Sequence, residues 1–171
     1  MYREKTEESG DVKIGVYICH CGVNISATVN VADVRDFIAK QPNVIVARDY
    51  KFMCSDPGQD LIKQDIKNLG VNRVVVAACS PLMHELTFRI AAETAGLNRY
   101  LVQIANIREH CSWIHDNRDA ATEKAKALVN AAVKRVALHQ PLQITKSPVN
   151  KNTLIVGGGI AGIQAALEIA N

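Results

Sequence analysis

Five cysteines are the side chains best suited to bond chemistry here: Cys19, Cys21, Cys54, Cys79 and Cys111. The first two fall in "VYICHCGVN", residues 16 to 24, as a C-x-C pair at the exit of an apolar run. An odd number of thiols fits a disulfide framework poorly, and a reducing compartment would keep them free. Disulfide-exchange pairs read C-x-x-C before a helix, which matches neither the spacing nor the context. Structural zinc pairs its ligands as C-x₂₋₄-C, and that spacing is missing too. Thiolate-rich sites select zinc or iron–sulfur clusters. A cluster needs four thiolates around a larger body, so ligands from separate loops suit it better. A [4Fe-4S] cluster is therefore favoured over zinc, with the fifth cysteine a near neighbour or alternate ligand. The competing reading is that the thiols are buried as small apolar side chains.

A second motif lies near the other end. Gly157, Gly159 and Gly162 satisfy G-x-G-x-x-G directly after Leu154-Ile155-Val156 and before a helix-like stretch. In a strand–turn–helix context these glycines let the backbone approach a pyrophosphate at a helix N-terminus. The second strand and the acidic residue that would complete such a unit are expected beyond Asn171, so the unit is incomplete here. Of the five histidines, His20 and His110 are the candidates for donors to the sulfurs or a replacement ligand. His84 also lies near a cysteine, whereas His115 and His139 are expected on helices.

Loops distant in sequence meet only on a common scaffold, and one grammar repeats four times: a β-branched run, a cysteine-bearing loop, a helical segment. The runs are Lys13 to Ile18, "NVIVARDY", "NRVVVAAC" and "RYLVQIANI". The third is almost wholly apolar, like a central strand of a parallel sheet covered on both faces. Helical spacing follows at Val31, Val34 and Ile38, then at Ile62, Ile66 and Leu69, where Asp56 is placed to cap and Gly70 to end the helix. Ser80-Pro81 starts a third helix ending near Gly96. Ala125, Leu128, Val129, Ala132 and Val136 mark the inward face of a fourth, from about Asp119 to His139. The expected fold is α/β: a four-stranded, or slightly larger, parallel sheet with helices on both faces. All five cysteines sit at or just beyond predicted strand ends, the edge where such sheets bind ligands.

The organisation expected is a disordered lead-in over 1–12, the cysteine-bearing α/β domain over 13–139, a linker over 140–152 and the first βα piece of a dinucleotide domain over 153–171. A net charge of +3, widely dispersed, argues against nucleic acid or an anionic membrane as partner. Aromatics at 5% are too few for a base-stacking surface. No apolar run approaches the roughly 18 residues of a membrane span, and residues 1–12 lack a signal-peptide core. A cytoplasmic location is expected.

The stretches "GVYICHCGVNI", "YKFMCSDPGQDLIK", "NRVVVAACSPLMHE" and "ANIREHCSWIH", followed by "LIVGGGIAG", resemble the amino-terminal part of the A-type subunit of heterodisulfide reductase, an iron–sulfur flavoprotein family. The likeness covers roughly residues 12 to 171, nearly the whole chain. It implies an iron–sulfur domain that precedes an FAD domain similar to thioredoxin reductase, followed by ferredoxin-like modules. The whole complex would split electron pairs at the FAD, coupling disulfide reduction to ferredoxin reduction, in methanogenesis and in other anaerobes. Implied partners are heterodisulfide reductase subunits B and C, a hydrogenase or formate dehydrogenase, and ferredoxin, with a homodimer also open. Under the resemblance the five cysteines are the cluster candidates, and Gly157, Gly159 and Gly162 match the FAD pyrophosphate turn. The whole protein would be an FAD-dependent oxidoreductase, and this stretch alone is not expected to be active. The alternative function is an interaction or dimerisation domain with structural cysteines or a structural zinc.

Overall fold

The computed structural model describes residues 11–170, so most of the expected lead-in lies outside the described residues. The apolar runs form four strands, β1 (Ile14–Cys19), β2 (Val44–Tyr50), β3 (Arg73–Ala78) and β4 (Val102–Asn106). They make one parallel sheet in the order β2-β1-β3-β4. Among the described residues five α-helices accompany them: α1 (Val31–Ile38), α2 (Asp56–Leu69), α3 (Pro81–Thr94), α4 (Arg118–Val136) and α5 (Ile160–Ala170). The start of the fourth apolar run departs from expectation. Arg99–Leu101 form a 3-10 turn capped by Asn98, and only then does the chain extend.

Strand alternation sorts the core into two layers. Ile14, Val16 and Ile18 join Val75 and Ala77 under α1 and α4, while Tyr17, Cys19, Val74, Val76 and Ala78 face α2 and α3. Every residue of β1 is buried because strands flank it and helices cover it on both sides. At the edge, β2 alternates in exposure and carries Arg48 and Asp49, charges that discourage pairing with another chain. The chain steps from β1 outward to β2, then crosses back to β3 on the other side. That reversal leaves a crevice at the carboxyl ends of β1 and β3, where such sheets take ligands.

Helix ends follow local side chains. Asn30, Ser80 and Asn117 cap α1, α3 and α4 by accepting from the backbone N–H groups of Asp33, Leu82 and Ala120. Gly70 ends α2 at φ 71°. The cap expected at Asp56 is displaced by one residue: Ser55 is the N-cap, and its hydroxyl donates to the Phe52 carbonyl at 2.6 Å instead of capping. The buried stripe of α2 also differs from the periodic expectation. Ile62 is buried and Ile66 partly so, but Leu69 is exposed and Asp65 is buried.

Asp65 is inward because two partners reach it from the sheet. Arg48 donates to both of its oxygens at 2.7 and 2.8 Å, and the Tyr17 hydroxyl donates at 3.1 Å. Asp65→Ala would strand the Tyr17 hydroxyl in the core and free Arg48. We expect a loss of about 2–3 kcal/mol in urea unfolding, below the full cost of a broken buried pair because Arg48 is part-exposed.

Beyond α4 the chain has no regular element until α5, a span that includes 140–152. The strand expected at Leu154–Val156 does not form: Leu154 and Val156 are exposed, and among the described residues no strand pairs with them. Extended backbone needs a ladder partner for its N–H and C=O groups, and none is supplied. The helix of the motif is present, as α5. Gly157 turns at φ 114°, and a Cβ on Gly162 would collide with the Gly157 carbonyl, so the turn requires both glycines. Among the described residues, no helix is long and apolar enough to cross a membrane.

Candidate functional site

Cys19 is the last residue of β1, buried at the mouth of the crevice. The chain then turns sharply, with Cys21 at φ 51° and Gly22 at φ 64°. This left-handed pair aims the Cys21 N–H at Cys19 Sγ, 3.2 Å away. The loop after β2 is sewn to the same place by backbone bonds from His20 to Tyr50 and from Gly22 to Lys51. There Met53 is fully buried and donates its N–H to Cys19 Sγ at 3.4 Å. Cys54, half-buried, follows it. Cys79 is the residue after β3 and is buried.

Four thiols thus follow the carboxyl ends of β1, β2 and β3. Cys21 and Cys54 lie close enough to Cys19 for their charges to act on it, and Cys21 acts likewise on Cys79. The neighbours run Cys54–Cys19–Cys21–Cys79. Burial pushes the Cys19 thiol up to about 11, against the pull of its two N–H donors. Burial raises Cys79 as well, with the nearby Arg108 charge opposing it. Cys111 is fully buried in the α1/α4 layer with Ile107, Ala121 and Ala125, a layer against which Cys21 also packs, and burial pushes its thiol up against the opposing charge of Lys124. Among the described residues, no three His, Cys, Asp or Glu side chains are close enough together to hold a single metal ion.

The histidines stay off the sulfurs. His20 Nε2 lies 2.7 Å from Asp49, which also accepts from Arg35 at 2.6 Å. His110 is exposed and lines a groove with Gln103, Leu128 and Arg135, and His84 meets Thr87 and the Phe88 ring. The helical positions expected for His115 and His139 are corrected. His115 follows a 3-10 turn and donates to the Cys111 carbonyl, and His139 lies past the end of α4 beside the Tyr100 carbonyl.

Burial alone would raise Asp49, but the His20 and Arg35 hydrogen bonds outweigh it and hold the carboxyl below its ordinary range. Its stabilising effect is therefore complete at neutral pH and is lost as pH falls through the lowered folded-state value. Asp49→Asn is expected to flatten the acid limb of a stability-versus-pH curve measured by urea unfolding.

A further residue at the site, Arg108, lies within the stretch "ANIREHCSWIH" but is not among the candidate residues read from the sequence. Arg108 donates to Cys21 Sγ at 3.3 Å and to Met83 Sδ at 3.1 Å, beneath the Trp113 ring. Asn106 places it by accepting from the N–H groups of both Arg108 and Glu109. Only its position three residues before a cysteine marks it in the sequence. Around the thiols, Val23, Phe52, Leu82, Met83, Trp113 and Ile114 are exposed. These large apolar side chains all belong to the segments following the strands, so the crevice has an apolar rim.

No family model matches the chain. Among curated relatives, the A-type subunit of the H(2):CoB-CoM heterodisulfide,ferredoxin reductase of Methanothermobacter marburgensis is 59% identical over 172 residues, covering 100% of this chain and 26% of the relative. One of the A-type iron-sulfur subunits of the CoB--CoM heterodisulfide reductase of Methanopyrus kandleri is 56% identical over 160 residues, covering 93% of this chain and 24% of the relative. The chain belongs to the family of heterodisulfide reductase A-type subunits, as their N-terminal region. A third heterodisulfide reductase relative, the A-type subunit of the Ferredoxin/F(420)H(2)-dependent CoB-CoM heterodisulfide reductase of Methanosarcina acetivorans, is 48% identical over 93% of this chain and 20% of its own. The chain thus spans about a quarter of the length of the first two of these heterodisulfide reductase relatives.

Proposed function

We propose that this region is an iron–sulfur electron-transfer domain in which Cys19, Cys21, Cys54 and Cys79 hold one [4Fe-4S] cluster. The observation that carries the reading is that Cys19, Cys21, Cys54 and Cys79 all lie at or just past the carboxyl ends of β1, β2 and β3, the edge where such sheets take ligands. The donor set fits the group. It consists of thiols alone, and Cys19 Sγ already receives two backbone N–H groups, which stabilise charge on a ligating sulfur. A cluster draws its ligands from separate loops, as these four thiols are drawn from the loops after β1, β2 and β3. When bound, the cluster supplies one-electron transfer.

The chain's own residues set the conditions for it. Cys19 and Cys79 are buried and keep water from their sulfurs, while Cys21 and Cys54 lie nearer the surface. The apolar rim favours docking of a partner at the same edge, so the interaction role becomes part of this reading. Gly157, Gly159 and Gly162 supply the FAD pyrophosphate turn of the longer polypeptide. There the domain works in a cytoplasmic complex with subunits B and C, ferredoxin and a hydrogenase or formate dehydrogenase, coupling disulfide reduction to ferredoxin reduction by bifurcation at the FAD. The test is anaerobic reconstitution of the chain, with iron and sulfide counted and the reduced sample examined by EPR. About four of each per chain, with a reduced-cluster signal, supports the reading. Stoichiometric zinc with no sulfide, or no metal at all, refutes it.

A further inference from the structure

We propose that Arg108 is a positioning residue that sets the charge balance of the thiol site and raises its reduction potential, opposed by Glu109. This rests on the reading of the four thiols as an electron-accepting centre. Among the described residues, Arg108 is the charged side chain that donates to a cysteine sulfur, at 3.3 Å from Cys21, and its charge also acts on Cys79. It is held on every side: Met83 Sδ lies 3.1 Å from Nη2, Glu109 Oε1 lies 2.8 Å from it, and the Trp113 ring centroid is 4.4 Å from the guanidinium carbon. Its side chain is only 12% exposed.

A guanidinium stays charged at any working pH, and its planar fork is pre-organised, so the cation neither leaves nor relaxes when the site takes up charge. Each electron accepted adds one negative charge among the sulfurs, and a fixed cation in contact with them favours the reduced state. In a shielded site that attraction is far stronger than in water. Glu109 pairs with the same guanidinium and cancels part of its field. The pair therefore acts as a graded setting, which a purely structural anchor would not be. Removing the cation should lower the midpoint potential, and removing the anion should raise it.

The experiment reconstitutes the unaltered chain, R108Q, R108K and E109Q anaerobically, counts iron and sulfide in each, and then follows the reduced EPR signal against applied potential. R108Q should shift the reduction equilibrium about tenfold toward the oxidised form, about 59 mV lower for one electron. R108K should recover most of that loss, and E109Q should move the other way. If R108Q fails to load, an E109Q potential above that of the unaltered chain still supports the proposal. An R108Q chain that carries its full cluster at an unchanged midpoint overturns the proposal and leaves the cluster reading intact. An unaltered chain that binds no cluster overturns both.

Discussion

Cys111→Ala is expected to leave the iron and sulfide content of the reconstituted chain unchanged, whereas serine at Cys19, Cys21, Cys54 or Cys79 should weaken cluster binding more than about tenfold. The size follows from ligand loss, since outer partners of metal ligands alone are worth roughly 10–100-fold. The difference between the sites follows from the sheet. Cys19 and Cys54 face the α2/α3 layer, and Cys21 spans the edge between the layers. Cys111 packs within the α1/α4 layer, among the residues that seat α4 against β3 and β4. Its replacement removes one buried sulfur, at a cost of about 1 kcal/mol in stability and none in loading. Titration of each variant with iron and sulfide, read by absorbance and by bound metal after desalting, separates the two classes.

Gly58→Ala is expected to damage the same site from a distance. In an ordinary helix position the change would help by about 0.5–1 kcal/mol, because alanine loses less backbone freedom than glycine. At Gly58 the added Cβ would lie 2.5 Å from the Phe52 carbonyl oxygen and 2.6 Å from Met53 Cα. Those atoms are backbone and cannot swing aside, so overpacking decides the sign, at a net loss of about 1–3 kcal/mol. The displaced segment carries the Met53 N–H that reaches Cys19 Sγ, and Cys54 follows directly. Urea unfolding of the metal-free chain should show the destabilisation, and cluster titration should show weakened loading as well. A stable variant with normal loading would contradict this picture of how the Cys54 loop is held.

The strands and most helices were legible because their patterns were strong: an almost wholly apolar β3, a periodic inner face on α4, a helix start at Ser80-Pro81 and a helix end at Gly70. The α/β class and the parallel sheet follow from that alternation. What periodicity misses is which neighbour a side chain meets. Leu69 continues the stripe of α2 yet is exposed, and Asp65 interrupts it yet is buried, because Arg48 and Tyr17 wait on the sheet. The Leu154–Val156 run reads as a strand, but an extended segment needs a ladder partner that local sequence does not encode.

The site was legible in part for the same reason. Spacing places each cysteine near a strand end, but it cannot tell which face a loop crosses, and that distinction sets Cys111 apart. In the loop after β4, the Ser112 hydroxyl donates to the Asn24 carbonyl and Cys111 turns into the α1/α4 layer, while Arg108 reaches Cys21. Arg108 is one of 20 lysines and arginines, and nothing in its neighbours' identities announces contact with Cys21, 87 residues away.

The most direct measurement is anomalous diffraction at the iron edge from anaerobically grown crystals of the reconstituted chain. Iron should be bonded to the sulfurs of Cys19, Cys21, Cys54 and Cys79 at the carboxyl ends of β1, β2 and β3, with Cys111 unbound in the α1/α4 layer. Iron bonded to Cys111, or a loaded crystal whose iron lies away from that crevice, would contradict the convergence of the four thiols on one cluster.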